Sequence, residues 1–164
     1  MISQEDMKAL FLPLLQEKGS VFIKKKNIWA READAGEVII TVTNDGLETS
    51  NIANQGDMLV KNQTDAAEIY VMSKESFEAR YVKIKKTVLA EAEFEEYTSI
   101  GKIYALCVDK QLLTKLNLEN SFYFEAPWNS NMICKVDDYL ACPTDFSQVY
   151  RIARKEFFET YVQL

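Results

Sequence analysis

The run Gly56-Asp57-Met58-Leu59-Val60, followed by Glu68-Ile69-Tyr70 and Phe77-Glu78-Ala79-Arg80-Tyr81, returns near the C-terminus. There it reads Asp137-Asp138-Tyr139-Leu140-Ala141, Gln148-Val149-Tyr150 and Phe157-Phe158-Glu159-Thr160-Tyr161. Tyr to Phe to Tyr is spaced seven and then four residues in both, each run closes on a valine (Val82, Val162), and a one-residue gap after the Asp aligns them. Internal self-similarity constrains architecture before any single residue does, and two copies point to a pseudo-symmetric pair. Upstream, Lys25-Lys26-Asn27-Ile28-Trp29-Ala30 is echoed by Lys85-Lys86-Thr87-Val88-Leu89-Ala90. This divides the chain into residues 1–19, copy one at 20–82 and copy two at 83–164.

Residues 4–18 read as a helix. Ser3 supplies a cap, Glu5 and Asp6 suit its positive end, Met7, Leu10, Phe11, Leu14 and Leu15 share a face, and Gly19 is a stop. Pro13 lies inside it and is expected to kink or split it. The Lys24-Lys25-Lys26 triplet reads as the guard of a strand edge, with phosphate binding as the alternative. Glu37 to Thr43 reads as the clearest buried strand, ended by an Asn44-Asp45-Gly46 turn. Gly56-Asp57 and Asn62 to Asp65 turn into further strands, and Ser73 caps a short helix. In copy two, Lys83 to Glu93 alternates like a strand, Asp109 caps an inserted helix at 109–116, and Pro127-Trp128-Asn129-Ser130-Asn131 replaces the Asn-Asp-Gly turn. Because each turn joins neighbours, the fold class is α+β: mostly antiparallel sheets with short helices, two repeats and an N-terminal helix.

Asp45-Gly46, Gly56-Asp57, Glu68-Ile69-Tyr70 and the Phe77 to Tyr81 run are similar to the pattern of the PGDYG-like small bacterial and phage proteins, here as a degenerate tandem duplication. The chain departs from that pattern at Gln55, which replaces its Pro, and Met58, which replaces its aromatic; copy two carries Val136-Asp137 and Gln148 instead of Pro-Gly and Glu. That family has no established reaction, so the resemblance implies a fold and not an activity.

An apolar fraction of 48% over 164 residues supports a real core. A net charge of −6 argues against a nucleic-acid backbone as partner. The absence of histidine removes every Ser-His and Cys-His nucleophile arrangement and the commonest metal ligand. Cys107, Cys134 and Cys142, without Cys-x-x-Cys spacing, read as buried reduced thiols. Neither a secretory leader nor an apolar run of membrane-spanning length is present, so a soluble cytoplasmic protein is expected, specialised secretion signals being invisible to these rules.

Asp57 and Asp138 occupy equivalent turns, where a carboxylate either serves acid-base chemistry or accepts backbone amides. Gly56, Tyr70, Phe77, Tyr81, Tyr150, Phe157 and Tyr161 read as the structural motif. Binding candidates are Asp57, Glu68, Trp128, Asn129, Asn131 and Asp138, with Trp128 in an exposed turn and function expected around it and the inserted helix. No catalytic residue, cofactor or metal site is assigned. The expected function is a non-catalytic binding module for a protein or small molecule, a homodimer being one form; the alternative is a small carboxylate- and tyrosine-dependent enzyme acting on a nucleotide or glycan.

Overall fold

The computed structural model describes residues 1–42, 48–84 and 93–164. The Asn44-Asp45-Gly46 turn and the Lys85 to Ala90 segment lie outside the described residues, as does most of the strand expected from Lys83 to Glu93. The first half of the chain runs α1 (Gln4–Lys18), β1 (Ser20–Lys24), β2 (Ile28–Glu32), β3 (Val38–Val42), β4 (Glu48–Ile52), β5 (Met58–Asn62), β6 (Ile69–Met72), α2 (Lys74–Arg80) and β7 (Tyr81–Lys83). The second runs β8 (Glu95–Ser99), β9 (Lys102–Cys107), α3 (Lys110–Lys115), β10 (Ser121–Glu125), β11 (Asn131–Lys135), β12 (Tyr139–Pro143), β13 (Tyr150–Ile152), α4 (Arg154–Thr160) and β14 (Tyr161–Gln163). The fold is α+β, with antiparallel pairing along the strand ladders.

Two compact units are present, and neither is a continuous half of the chain: one comprises residues 1–22, 102–158 and 162–164, the other residues 23–101 and 159–161. Their sheets have the same plan. The first orders its strands β13-β12-β9-β1-β14, the second β6-β5-β2-β8-β7, and each unit adds a two-stranded hairpin, β10-β11 or β3-β4. Register shows which segments correspond. Ala30 pairs with Val60, three residues after Asp57, and Ala105 pairs with Ala141, three after Asp138. The counterpart of Ile28-Trp29-Ala30 is therefore Ile103-Tyr104-Ala105, not the Lys85 to Ala90 segment chosen from the lysine pair.

In the first unit, α1 buries Met7, Phe11 and Leu15 against Val108, Leu113, Phe122, Phe124, Cys134, Leu140, Cys142 and Val149. Each such side chain contributes on the order of 1.5–3 kcal/mol by leaving water. Ser3 accepts the Asp6 N–H at 3.1 Å, as expected of a cap. Pro13 does not split the helix, which is continuous from Gln4 to Lys18. Gly19 ends it by close approach: a Cβ there would lie 2.4 Å from the Leu15 carbonyl oxygen. The core that α1 covers belongs to copy two and includes Leu113 of α3.

In the second unit the two faces of the sheet carry separate clusters. Ile28, Ala30, Met58, Val60, Phe77 and Tyr81 form one, and Ala33, Ile39, Ala53, Leu59 and Phe94 the other. Arg31 spans the root of the hairpin, its guanidinium paired with Glu37 and lying 5.3 Å from the Phe94 ring centroid. The Glu37 side-chain bond from Arg31, joined by the Asp34 N–H, holds that carboxyl below its usual range.

The strand read from Glu37 to Thr43 as buried is not. In β3 only Ile39 is buried, while Val38, Ile40 and Val42 face solvent. The polar run before Gln55, unassigned from sequence, supplies the partner strand β4, and a two-stranded hairpin has just one face against the core.

Candidate functional site

Asp57 and Asp138 both hold turns. Asp57 accepts the Asn54 N–H at 2.9 Å and Asp138 the Lys135 N–H at 2.8 Å. The residue before each is left-handed, Gly56 at φ +86° and Asp137 at φ +70°. Asp138 carries a second load. It accepts Arg151 Nε at 2.9 Å in a buried ion pair and the Arg154 N–H at 3.3 Å at the start of α4. Ser73 caps α2 through its own hydroxyl, accepting the Ser76 N–H at 3.2 Å. The residue at the equivalent place in α4 is Ala153, so the Asp138 carboxylate satisfies that helix start instead. The two carboxylates lie in separate units, each bonded within its own turn.

Trp128 is 40% exposed at the tip of the β10-β11 hairpin. Ala126 accepts the Asn129 N–H at 2.9 Å and donates its own N–H to Ser130 at 2.8 Å, and Asn129 takes the left-handed φ of +60° that this short turn requires. Asn131 opens β11 opposite Glu125. Tyr123, 58% exposed, is on the outer face of the same hairpin.

Glu68 is buried, accepting Asn62 Nδ2 at 2.8 Å and Thr64 Oγ1 at 2.6 Å. Beside it stands a group that sequence reasoning missed. Lys24 Nζ donates to Tyr70 Oη at 2.8 Å, to Asn62 Oδ1 at 3.3 Å and to Tyr81 Oη, and the two phenol oxygens are 3.3 Å apart. The ammonium also lies 5.5 Å and 5.0 Å from the Tyr70 and Tyr81 ring centroids. Lys24 is half-buried and held by phenols and an amide, so its expected role as an edge guard is corrected; β1 lies inside its sheet, between β9 and β14. The available signal was period two: Phe22 and Lys24 share a face of β1, and Phe22 packs on Phe157.

The phenols divide. Burial pushes Tyr70 up, and the charges of Tyr81 and Tyr161 push it further. Burial acts in the same sense on Tyr81, but the charge and hydrogen bond of Lys24, joined by the Tyr70 hydroxyl and the Arg80 charge, together outweigh it and the net shift is downward. Lys24 spends its three N–H groups on Asn62, Tyr70 and Tyr81, and Tyr70 can donate to Tyr81. Loss of the Tyr81 proton thus leaves a phenolate accepting from two donors.

The thiols are poor nucleophiles. Burial pushes Cys134 up, and Cys142 up to about 11. Cys107 is half-buried, not buried as expected, and burial raises it as well. Among the described residues no cluster of carboxylates and thiols is grouped to hold a metal ion, and no helix is long and apolar enough to cross a membrane.

The second missed feature is the outer face of β3-β4. Val38 (58% exposed), Ile40 (55%), Val42 (45%) and Ile52 (69%) lie on it together, Val38 opposite Ile52 in the ladder. No family model matches the chain, and no curated protein or solved structure matches it either.

Proposed function

We propose that the chain is a duplicated, non-catalytic interaction module of PGDYG-like type, and that it grips a protein partner through its hairpins, chiefly the outer face of β3-β4. The observation that carries this is the contiguous set Val38, Ile40, Val42 and Ile52 in solvent. Single exposed aliphatic residues are ordinary, but an aliphatic face in one piece marks an interaction surface. Covering each of these side chains gains on the order of 1–2 kcal/mol. Tyr123 and Trp128 give the β10-β11 hairpin a smaller surface of the same kind. The proposed carboxylates support binding over catalysis, because Asp57, Asp138 and Glu68 are each engaged in holding their own loop or strand end. Three thiols outside any disulfide suit a reducing cytoplasm.

The test compares wild type with the Val38→Lys/Ile40→Lys double variant as affinity baits in lysate. Both positions are exposed, so the variant should unfold within about 0.5 kcal/mol of wild type and lose the proteins that wild type retains. Identical capture by a folded double variant overturns the reading.

A second reading, a small tyrosine-dependent enzyme, is favoured by the Lys24, Tyr70 and Tyr81 group alone, where Tyr81 would act as the base. An aryl sulfonyl fluoride should then label Tyr81 ahead of the other tyrosines, and Lys24→Met should abolish the preference. Indiscriminate labelling counts against it.

A further inference from the structure

We infer that the N-terminal segment carrying α1 and β1 is an exchangeable part, which a second copy of this chain takes up to form a strand-swapped dimer. Such a dimer is separate from any contact made through the β3-β4 face.

The chain already exchanges strands between its own two copies. Lys25, Lys26 and Asn27 are all that separates β1 from β2, yet β1 lies between β9 and β14 in the sheet of the first unit. Ile100 and Gly101 are all that separates β8 from β9, yet β8 lies between β2 and β7 in the sheet of the second. Each copy therefore lends the strand that precedes its own core to the sheet of the other.

The two lent strands hold the same place to the residue. The Leu164 N–H donates to the Val21 carbonyl at 3.0 Å in one sheet, and the Ile84 N–H to the Glu96 carbonyl at 3.1 Å in the other. At the next residue Phe22 meets Phe157 edge-on at 4.9 Å, and Tyr97 meets Phe77 edge-on at 4.8 Å. Past the strand ends, the Lys25 N–H donates to the Thr160 carbonyl and the Ile100 N–H to the Arg80 carbonyl, both at 2.7 Å. Val21, Phe22 and Lys25 thus correspond to Glu96, Tyr97 and Ile100. Strands as unlike as Ser20–Lys24 and Glu95–Ser99 fill this place alike because main-chain pairing and one ring contact define it. Main-chain pairing is indifferent to which chain supplies the strand.

The occupant is fixed by what travels with β1. Residues 1–22 belong to the first unit, whose other parts all lie beyond residue 101, and α1 completes its core with Met7, Phe11 and Leu15. A segment that leaves uncovers that core together with the edge of β9, and the piece that fits both is the same segment of another copy. Swapping keeps the contacts inside each unit and changes the path of the connection at Lys25 to Asn27. A short connection holds the segment at an effective concentration of about millimolar, so the closed monomer prevails in dilute solution. Chains refolded together at high concentration are caught as dimers, since parting them requires α1 and β1 to leave the core again.

The full chain is unfolded in urea and refolded at low and at high concentration, and the products are sized by light scattering. The expected result is monomer at low concentration and, at high concentration, a dimer that persists on dilution; monomer throughout overturns the proposal. Complementation between full-length variants identifies the exchanged part. Phe11→Asp spoils the N-terminal segment and Phe124→Asp the core that receives it, so a swapped dimer of the two has one first unit free of both changes. Refolded together, they should give a heterodimer with slow amide exchange in β9 and β12 that neither shows when refolded alone. No gain on mixing overturns the exchange. The Val38→Lys/Ile40→Lys variant should dimerise as wild type does; loss of its dimer would assign the association to the aliphatic face and overturn the exchange, while leaving the interaction-module reading in place.

Discussion

Replacing Phe77 or Phe157 with alanine probes the correspondence between the two units at a pair of buried aromatic positions. Phe77 is 3% exposed, with its ring 4.8 Å edge-on from Tyr97 and 5.1 Å from Tyr81. Phe157 is 1% exposed, 4.9 Å edge-on from Phe22 and stacked 3.8 Å from Tyr139. Phe22 and Tyr97 come from corresponding strands, β1 and β8, so the same edge-on contact closes both helices over their sheets. Emptying a buried phenylalanine site costs about 3–5 kcal/mol. Phe157→Ala belongs at the upper end, because it loses a stacked partner where Phe77 has Met58 in the equivalent strand position. With a urea slope of about 2 kcal/mol/M, either change should lower the denaturation midpoint by roughly 2 M, followed by intrinsic fluorescence. A loss below about 1 kcal/mol for either variant would refute the reasoning, since it would require that ring to be exposed in solution.

Further consequences follow from individual groups. Spectrophotometric titration should show the first tyrosine ionising below the ordinary value near 10 in wild type and not in Tyr81→Phe or Lys24→Met. Since the native value is depressed, the stabilising contribution of Tyr81 is absent at lower pH and grows as pH rises through that value toward 10; a stability profile of the opposite slope there contradicts the Lys24 assignment. Gly19→Ala should destabilise by about 1–3 kcal/mol by thermal melt, because the new methyl meets the Leu15 carbonyl. Gly56→Ala, with open space but φ +86°, should cost only about 1–2 kcal/mol from backbone conformation. Asp138→Asn should be more damaging than Asp57→Asn, because Asp138 alone of the two turn carboxylates pairs with a buried arginine.

What was legible in the sequence is what local chemistry decides. The Ser3, Ser73 and Asp109 caps lie where hydroxyl and carboxylate oxygens meet free amides. The Tyr, Phe, Tyr spacing marks a strand, helix and strand unit in both halves because those rings close a helix over a sheet. Whatever depends on which face meets the core was not legible. The alternation of Val38, Ile39, Ile40, Thr41 and Val42 fits either orientation, and only the tertiary fold puts Ile39 inside. Glu48 to Ile52 lacks an apolar rhythm because its strand closes a hairpin open to water. The lysine pair at Lys85-Lys86 drew the alignment away from Ile103-Tyr104-Ala105, although that triplet keeps the pattern of aliphatic, aromatic and alanine found in Ile28-Trp29-Ala30. The Lys24 contacts could not be read because they join residues 38, 46 and 57 positions apart.

The claim that β3-β4 is the principal contact surface is tested most directly by placing a photo-crosslinking amino acid at Ile40 and, separately, at Trp128, and irradiating living cells. The account predicts a discrete adduct of one partner from position 40, stronger than any from position 128 and removed by Val38→Lys in the same chain. No adduct from position 40, with a discrete one from position 128, would contradict it and move the contact to the other hairpin.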